Sequence, residues 1–240
     1  MADLTFTAAN LHNSRAAVDW LRHRSRSDAR DHFDIASVYE AHHRRRALRR
    51  LPGHRYYTGD QRGPSRETGV LLGRDLPYLG HGAQFVSREA ERFERVGKER
   101  WGQVVTTRAA NAVVDVISLH PVAGPKALGG SDPHHPLVRR YAAAMRWLEA
   151  TVVQSEALRH EWVLGMDAQM FPGQERPWSP HAIFAEHKAW TVWERIDLVA
   201  GSRGLVPVGN RDMRVRHDFP SDHPALVVDI NVNRTKRRTR

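Results

Sequence analysis

The chain has 240 residues, which is enough for one sizeable domain or two small ones with a buried core. It is 40% hydrophobic with 7 Trp, which excludes a disordered chain, and its lack of Cys excludes disulfides, thiolate zinc sites and cysteine nucleophiles. The net charge of +10 favours an anionic partner, most often nucleic acid, although high basicity also serves solubility.

The N-terminal stretch MADLTFTAANLHNS is too short and too polar for a signal peptide, and no apolar run approaches the length of a membrane span. We therefore expect a cytoplasmic protein without membrane contact. The sequence points to no protein partner.

The first third of the chain mixes strand-like and helix-like segments. Residues 4–11 (LTFTAANL) alternate and are β-rich, which predicts a strand. Residues 14–24 begin at a serine N-cap and carry apolar residues at helical spacing, which predicts a helix. Residues 33–40 (FDIASVYE) predict a strand and 42–51 (HHRRRALRRL) a helix, whereas the Gly-rich, charged residues 56–69 predict a loop.

Strands dominate the remainder. Residues 69–76 predict a strand, 101–120 predict a hairpin around the turn RAAN, and 161–170 predict a strand that runs into a loop. Residues 137–158 predict the longest helix, because the apolar residues of this segment share one face. That face comprises Leu137, Tyr141, Met145, Leu148 and Val152. Further strands are predicted at 191–200, 205–208 and 224–232.

Strands outnumber helices in this pattern, and hairpins occur among them without an internal repeat or a clear linker. The pattern predicts one α/β (α+β) domain with mostly antiparallel or mixed sheets over residues 1–232. The basic tail NRTKRRTR, residues 233–240, is predicted to be disordered.

Polar side chains occupy the ends of the apolar runs. They are Asn10, Glu40, His120, Asp167, Asp197, Asp222 and His223. Singly, such residues are usually turns or caps, but Asp197 lies between Ile196 and Leu198 and needs a partner if it is buried. Together they would form an acidic and imidazole site suited to Mg²⁺, which prefers oxygen ligands. Such a site can position water and move protons for phosphodiester hydrolysis.

In order, these positions resemble the motifs of the endonuclease/exonuclease/phosphatase superfamily, the DNase I-like fold. That family typically has an Asn near the first strand, followed by LQE, TH, GDFN, RIDY and SDH motifs. The corresponding stretches here are Asn10, VYE at 38–40, ISLH at 117–120, GMDAQ at 165–169, RIDLV at 195–199 and SDH at 221–223. The resemblance spans residues 10–223 and implies a four-layer sandwich, two packed mixed β-sheets flanked by helices.

The resemblance implies a metal site and a base. Glu40 resembles the main Mg²⁺ ligand, with Asn10 beside it and Asp222 as a second acidic contributor; Mn²⁺ is the alternative ion. Asp167 resembles the residue that positions or deprotonates the attacking water.

The resemblance also implies groups that act on the phosphate. His223 resembles the histidine that contacts the scissile phosphate, and Asp197 resembles the carboxylate that orients it. His120 resembles the strand-end histidine proposed to assist the leaving group, and it favours the DNase-like, sphingomyelinase-like or phosphatase branches. Gln169 stands where the family has the Asn of GDFN, and its longer arm shifts the amide by one methylene.

Three functions remain open. The first is a Mg²⁺-dependent nuclease acting on DNA or RNA, which the net charge favours. The second is a phosphatase or phosphodiesterase acting on a small molecule or lipid headgroup, of the inositol phosphate or sphingomyelin type. The third is an inactive nucleic-acid-binding module. Five arginines form either a solvated face or a phosphate-binding surface. They are Arg44, Arg45, Arg46, Arg49 and Arg50.

Overall fold

The structure is a computed structural model. It describes residues 2–26, 32–41, 43–58, 68–87, 100–121, 136–170, 179–208 and 213–233. Residues 234–240 of the predicted basic tail lie outside these ranges, as does most of the predicted 56–69 loop. The division into a domain over 1–232 and a tail therefore stays a prediction.

The first sheet contains seven strands in the described part of the chain. They are β1 (Leu4–Asn10), β2 (Ile35–Tyr39), β3 (His54–Thr58), β4 (Gly69–Gly73), β11 (Leu205–Pro207), β12 (Met213–Arg216) and β13 (Ala225–Val232). Their order is β11–β13–β1–β2–β4–β3, with β12 also beside β13. The β1–β2 pair is parallel and every other pair in this sheet is antiparallel.

The second sheet contains six strands and repeats this plan. They are β5 (Tyr78–Ser87), β6 (Arg100–Ala109), β7 (Ala112–Leu119), β8 (Glu161–Asp167), β9 (Trp190–Glu194) and β10 (Asp197–Gly201). Their order is β5–β6–β7–β8–β10–β9, and among these described strands only β7 and β8 are parallel. Each sheet thus has one parallel pair in its interior.

Parallel neighbours need a long crossover connection, and helices supply it here. The helices are α1 (Arg15–Arg24), α2 (Arg45–Leu48), α3 (Pro136–Ala157) and α4 (Pro180–Glu186). Helix α1 connects β1 to β2, and α3 lies between β7 and β8 in the chain. The Ser14 hydroxyl caps α1 by accepting the Ala17 N–H. No helix among the described residues has the length and apolarity needed to cross a membrane.

Three apolar layers separate the elements. Side chains such as Phe6 and Val116 fill the space between the sheets. Trp20 and Leu21 of α1 cover the outer face of the first sheet, and Tyr141 and Met145 of α3 cover the outer face of the second. The result is the predicted four-layer sandwich of two mixed sheets between helices, so the predicted fold class is confirmed.

Several predicted elements are corrected. The helix expected over 42–51 is a single turn at Arg45–Leu48, and residues 56–58 belong to β3 instead of a loop. The strand expected over 191–200 divides into β9 and β10, because Arg195 adopts a left-handed φ of 55° between them. The sequence did not predict β5, β12 or α4. Glycines at 80 and 82 weaken the β signal of β5, and the other two elements are short.

Candidate active site

The two parallel strand pairs bring four polar side chains to one edge of the sandwich. Asn10 ends β1, Glu40 follows β2, His120 follows β7 and Asp167 ends β8. Asn10 Nδ2 donates to Asp167 Oδ2 at 3.1 Å and lies 3.5 Å from Glu40 Oε1. His120 Nε2 lies 3.5 Å from Asp167 Oδ2 and 3.9 Å from Glu40 Oε1. Both sheets therefore contribute to a single polar centre.

Asn10 faces this centre with its amide nitrogen. Its Oδ1 accepts the backbone N–H of His12 at 2.9 Å. In this placement Asn10 tethers Glu40 to Asp167 across the two sheets. Direct coordination of a cation by its carbonyl oxygen would require the amide to turn over, so that role stays a prediction.

Glu40 occupies a strained backbone position. Its φ is 50°, in the left-handed region that residues other than Gly rarely adopt. Its carbonyl accepts the backbone N–H of Asn13 at 3.1 Å, which connects the end of β2 to the turn after β1. The side chain is half-buried, with Oε1 turned toward His120 and Oε2 toward His12.

Asp167 is fully buried and held from several sides. Gln169 donates its Nε2 to Asp167 Oδ2 at 2.8 Å and its backbone N–H to Oδ1 at 3.1 Å. Gln169 reaches both oxygens because it turns back at a φ of 53°. The Tyr141 hydroxyl donates to the Ala168 carbonyl at 2.7 Å, which attaches this turn to α3. Gln169 thus presents its amide to Asp167, and the catalytic role expected of Gln169 stays a prediction.

Asp197 has the partner that its burial requires. It is the first residue of β10, where it pairs across the strands with Asp167, and its carboxylate Oδ2 lies 2.8 Å from His223 Nδ1. Burial raises the pKa of Asp197 to about 6, although the hydrogen bond from His223 lowers it. Burial also lowers the pKa of His223, but the hydrogen bond and charge of Asp197 outweigh it and raise that pKa to about 9. His223 is therefore an imidazolium near neutral pH.

The segment that carries Asp222 and His223 precedes β13 and does not form its first residues. Residues 217–224 form a turn and bends, and β13 begins only at Ala225. Helix α1 anchors this segment, because Trp20 contacts Phe219 edge-on at 5.0 Å and donates its Nε1 to Asp218 at 3.4 Å. Contacts with a helix far away in the sequence thus help to position the segment that carries Asp222 and His223.

His12 was not predicted as a site residue. Its side chain is 64% exposed, and its Nδ1 lies 3.3 Å from Glu40 Oε2 and 3.5 Å from Asp222 Oδ1. The available signal was its place in the turn-forming stretch Asn10-Leu11-His12-Asn13, two residues after a predicted site residue. Asp222 thereby joins the centre from its outer side.

The arginine-rich segment lies directly after Glu40 in the chain. Arg44 Nε donates to the Asn13 carbonyl at 2.6 Å, so the segment is attached to the turn that carries His12. Leu48 is buried, whereas Arg46, Arg49 and Arg50 are exposed. Arg44 and Arg45 are half-buried. The exposed guanidinium groups are available to phosphates, and contact with nucleic acid remains a prediction.

The donor set fits a divalent cation. Ligand atoms of Glu40, His120 and Asp167 lie within 4.8 Å of one another, and so do those of Asp167, Asp197 and His223. Carboxylate oxygens that face one another at such distances repel unless a proton or cation lies between them. These groups can hold a cation, accept a proton from water and contact an anion.

No protein-family model matches this sequence, and no curated protein matches it. The fold, however, matches many solved structures. An endonuclease/exonuclease/phosphatase from Bacteroides vulgatus aligns with 95% of this chain and 98% of its own length, at 11% identity and a TM-score of 0.66. TDP2 from C. elegans aligns over 95% of this chain and 75% of its own, at 15% identity and a TM-score of 0.63.

The endonuclease domain of TRAS1, a telomere-specific non-LTR retrotransposon, aligns over 96% of this chain and 99% of its own, at 14% identity and a TM-score of 0.59. The chain therefore has the same fold as these structures, the DNase I-like fold. At these identities the likeness concerns the fold.

Proposed function

We propose that this chain is a divalent-metal-dependent phosphodiesterase, and specifically a nuclease that hydrolyses DNA or RNA. The observation that carries the proposal is the convergence of Glu40, Asp167 and the Asp197–His223 pair at one edge of the sandwich. A fold hosts many activities, so the argument rests on these groups and their chemistry. The solved structures with this fold include an endonuclease domain, which agrees with the proposal.

Glu40 and Asp222 would hold the cation, joined by Asn10 if its amide turns over, and Mg²⁺ or Mn²⁺ fits oxygen ligands of this kind. Such an ion neutralises charge on the phosphate and polarises its oxygens. Glu40 is suited to the role because it is half-buried and its two oxygens face opposite sides of the centre.

Asp167 would orient the attacking water and accept its proton. Its two oxygens are fixed by Gln169, so the carboxylate cannot rotate away from the substrate. A general base must lie within hydrogen-bond reach of the proton that it accepts. The fixed Asp167 carboxylate can meet this condition without first rotating.

His223 would contact the scissile phosphate. Its Nδ1 is engaged by Asp197, which leaves Nε2 for the substrate, and its raised pKa keeps a positive charge opposite the phosphate. Asp197 thus fixes both the ring orientation and its charge. His120 is 3% exposed and lies against Glu40 and Asp167, a geometry that favours support of these carboxylates over direct contact with a leaving group.

Nucleic acid is the substrate class that the charge supports. The net charge is +10, and the exposed arginines Arg46, Arg49 and Arg50 follow Glu40 closely in the chain. Phosphate contacts by such residues supply most of non-specific nucleic-acid affinity.

The test is a cleavage assay with supercoiled plasmid, single-stranded DNA and RNA, each with Mg²⁺, Mn²⁺ or EDTA. Asp167→Asn should lose activity by about 10³-fold or more while it retains the wild-type melting temperature. Asp229→Asn is the matched control, because Asp229 pairs with Thr5 and Arg214 at the opposite end of β1 from Asn10. Wild-type turnover by Asp167→Asn would overturn its assignment as the base. If no polymer is cut, a phosphate-release screen on small phosphoesters decides between the second predicted activity and an inactive module.

A further inference from the structure

His12 is an exposed residue beside the polar centre. Its side chain is 64% exposed and belongs to no apolar cluster of the described residues. Its imidazole nevertheless lies against two carboxylates, Glu40 on β2 and Asp222 before β13. Apolar packing therefore does not explain the position of His12. Its contacts with the two carboxylates of the polar centre do.

The backbone holds His12 in this position at some cost. His12 has a φ of 42° and Asn13 a φ of 53°, two consecutive left-handed residues without a glycine. Such a conformation costs on the order of 1 kcal/mol for a residue other than Gly or Asn. The His12 N–H donates to Asn10 Oδ1 at 2.9 Å, which orients the residue toward Glu40. Strain of this kind persists where surrounding contacts impose it, and it is common at functional sites.

The distances match those between neighbouring ligands of one metal ion. Two ligands at right angles around a cation, each about 2.1 Å away, are about 3.0 Å apart. His12 Nδ1 lies 3.3 Å from Glu40 Oε2 and 3.5 Å from Asp222 Oδ1, within a few tenths of that separation. The ligand atoms of Glu40, His12 and Asp222 do not all lie within 4.8 Å of one another, so the two carboxylates, of which Asp222 is exposed, would have to close around a shared ion.

We propose that His12 is a nitrogen ligand of the cation bound at Glu40 and Asp222, and that it shifts the preference of the site from Mg²⁺ toward transition metals. This inference rests on the metal site of the proposed function. Imidazole nitrogen binds ions such as Co²⁺, Ni²⁺ and Zn²⁺ well, whereas Mg²⁺ favours oxygen ligands. An all-oxygen site would favour transition metals less strongly.

The competing explanation is that His12 acts as a counter-ion. A protonated imidazole between two carboxylates would take the place of a metal ion, and it would have to leave when the ion binds. The two explanations predict opposite changes on removal of the side chain. Loss of a ligand weakens transition-metal binding, whereas loss of a competing cation strengthens the binding of every divalent ion.

The experiment is calorimetric titration of the full chain with Mg²⁺ alone and with Co²⁺ alone, together with the visible absorption spectrum of bound Co²⁺. The variants are His12→Gly, which tolerates a positive φ, and His12→Asn, which tolerates it and replaces nitrogen by an amide oxygen. The exposed His23 on α1 provides the matched control, His23→Asn. Glu40→Gln removes the central carboxylate and identifies the heat and absorption that belong to this site.

We expect both His12 variants to weaken Co²⁺ binding by about tenfold or more, to alter the Co²⁺ spectrum, and to change Mg²⁺ affinity by less than about threefold. An unchanged ratio of Co²⁺ to Mg²⁺ affinity in folded variants, or tighter binding of both ions, would overturn the inference. If Glu40→Gln leaves all metal binding intact, the metal site of the proposed function fails as well. If only Glu40→Gln removes binding, that site stands and the role of His12 fails.

Discussion

Gln169 hydrogen-bonds both carboxylate oxygens of Asp167, Oδ2 through its side chain at 2.8 Å and Oδ1 through its backbone N–H at 3.1 Å. The left-handed backbone of Gln169 makes this double contact geometrically feasible. Its side-chain nitrogen also lies 3.5 Å from His120 Nε2. A residue that departs from the family motif therefore still supplies an amide to the central carboxylate.

Gln169→Ala should lower kcat by about 100-fold with little change in KM, because the side chain fixes Asp167 without being needed for substrate affinity. Gln169→Asn should retain more activity than Gln169→Ala, since it keeps an amide on a shorter arm. Steady-state kinetics on the polymer that the wild type cleaves provides the measurement. Gln154→Ala, at an exposed glutamine of α3, controls for loss of a glutamine in general. Equal kcat values for wild type and Gln169→Ala would refute the positioning role.

The Asp197–His223 pair predicts how stability depends on pH. The pKa of His223 is raised from 6.5 to about 9 in the folded protein, so the folded state binds this proton more tightly than the unfolded state does. The stabilisation is fully present below about pH 6.5 and is lost as the pH rises through about 9. Urea unfolding of the metal-free protein in EDTA between pH 6 and 10 should show this loss for wild type and not for His223→Gln. Parallel pH profiles of the two proteins would contradict the prediction.

The same pair predicts the protonation of His223 itself. In Asp197→Asn the nearby charge is lost while burial remains, so the pKa of His223 should fall well below about 9. An NMR titration of the imidazole protons measures this directly. If the pKa of His223 is the same in Asp197→Asn and in the wild type, Asp197 does not determine the charge of His223.

Gly165 on β8 lies directly against β2 of the other sheet. A Cβ at this position would lie 2.5 Å from Tyr39 Oη and 2.6 Å from Ser37 Cβ. Gly165→Ala should therefore destabilise the fold by about 1–3 kcal/mol, because the sheets must move apart. At Gly80 on the edge strand β5 an added Cβ would meet nothing within 4 Å, so Gly80→Ala should leave the free energy of unfolding nearly unchanged. Equal stabilities of the two variants in urea unfolding would contradict this view of the interface.

The exposed arginines after Glu40 predict a salt dependence. Each phosphate contact contributes about 0.9 to the slope of log K against log salt on duplex DNA. Replacing Arg46, Arg49 and Arg50 by Gln should therefore lower the magnitude of that slope by up to about 2.7. Fluorescence anisotropy with a labelled duplex in EDTA measures it. The triple variant at the exposed arginines Arg139, Arg159 and Arg203 removes the same charge elsewhere and should leave the slope nearly unchanged.

Elements with strong periodicity were predictable and weakly patterned ones were not. The apolar face of α3, from Leu137 to Val152, lies buried against the second sheet as predicted, because helical spacing alone decides which side chains share a face. Strand β5 was not predicted, because Gly80 and Gly82 interrupt the alternation of polar and apolar residues that is typical of a strand. This segment is a strand because it pairs with β6, a contact that its own sequence does not indicate.

The sequence by itself determined the residue types at the strand ends and the order in which they occur. Asn10, Glu40 and Asp167 each end or follow an apolar, β-branched run, and such runs are recognisable locally because burial demands them.

Only the tertiary structure decided which of these residues touch. His223 pairs with Asp197, 26 positions away, and not with its neighbour Asp222, which faces His12 instead. Asn10 and Asp167 are 157 positions apart in the sequence. They touch because β1 and β8 lie in different sheets that pack against each other. Contacts of this kind depend on strand order and sheet packing, which are set by the whole core and by no single stretch of sequence.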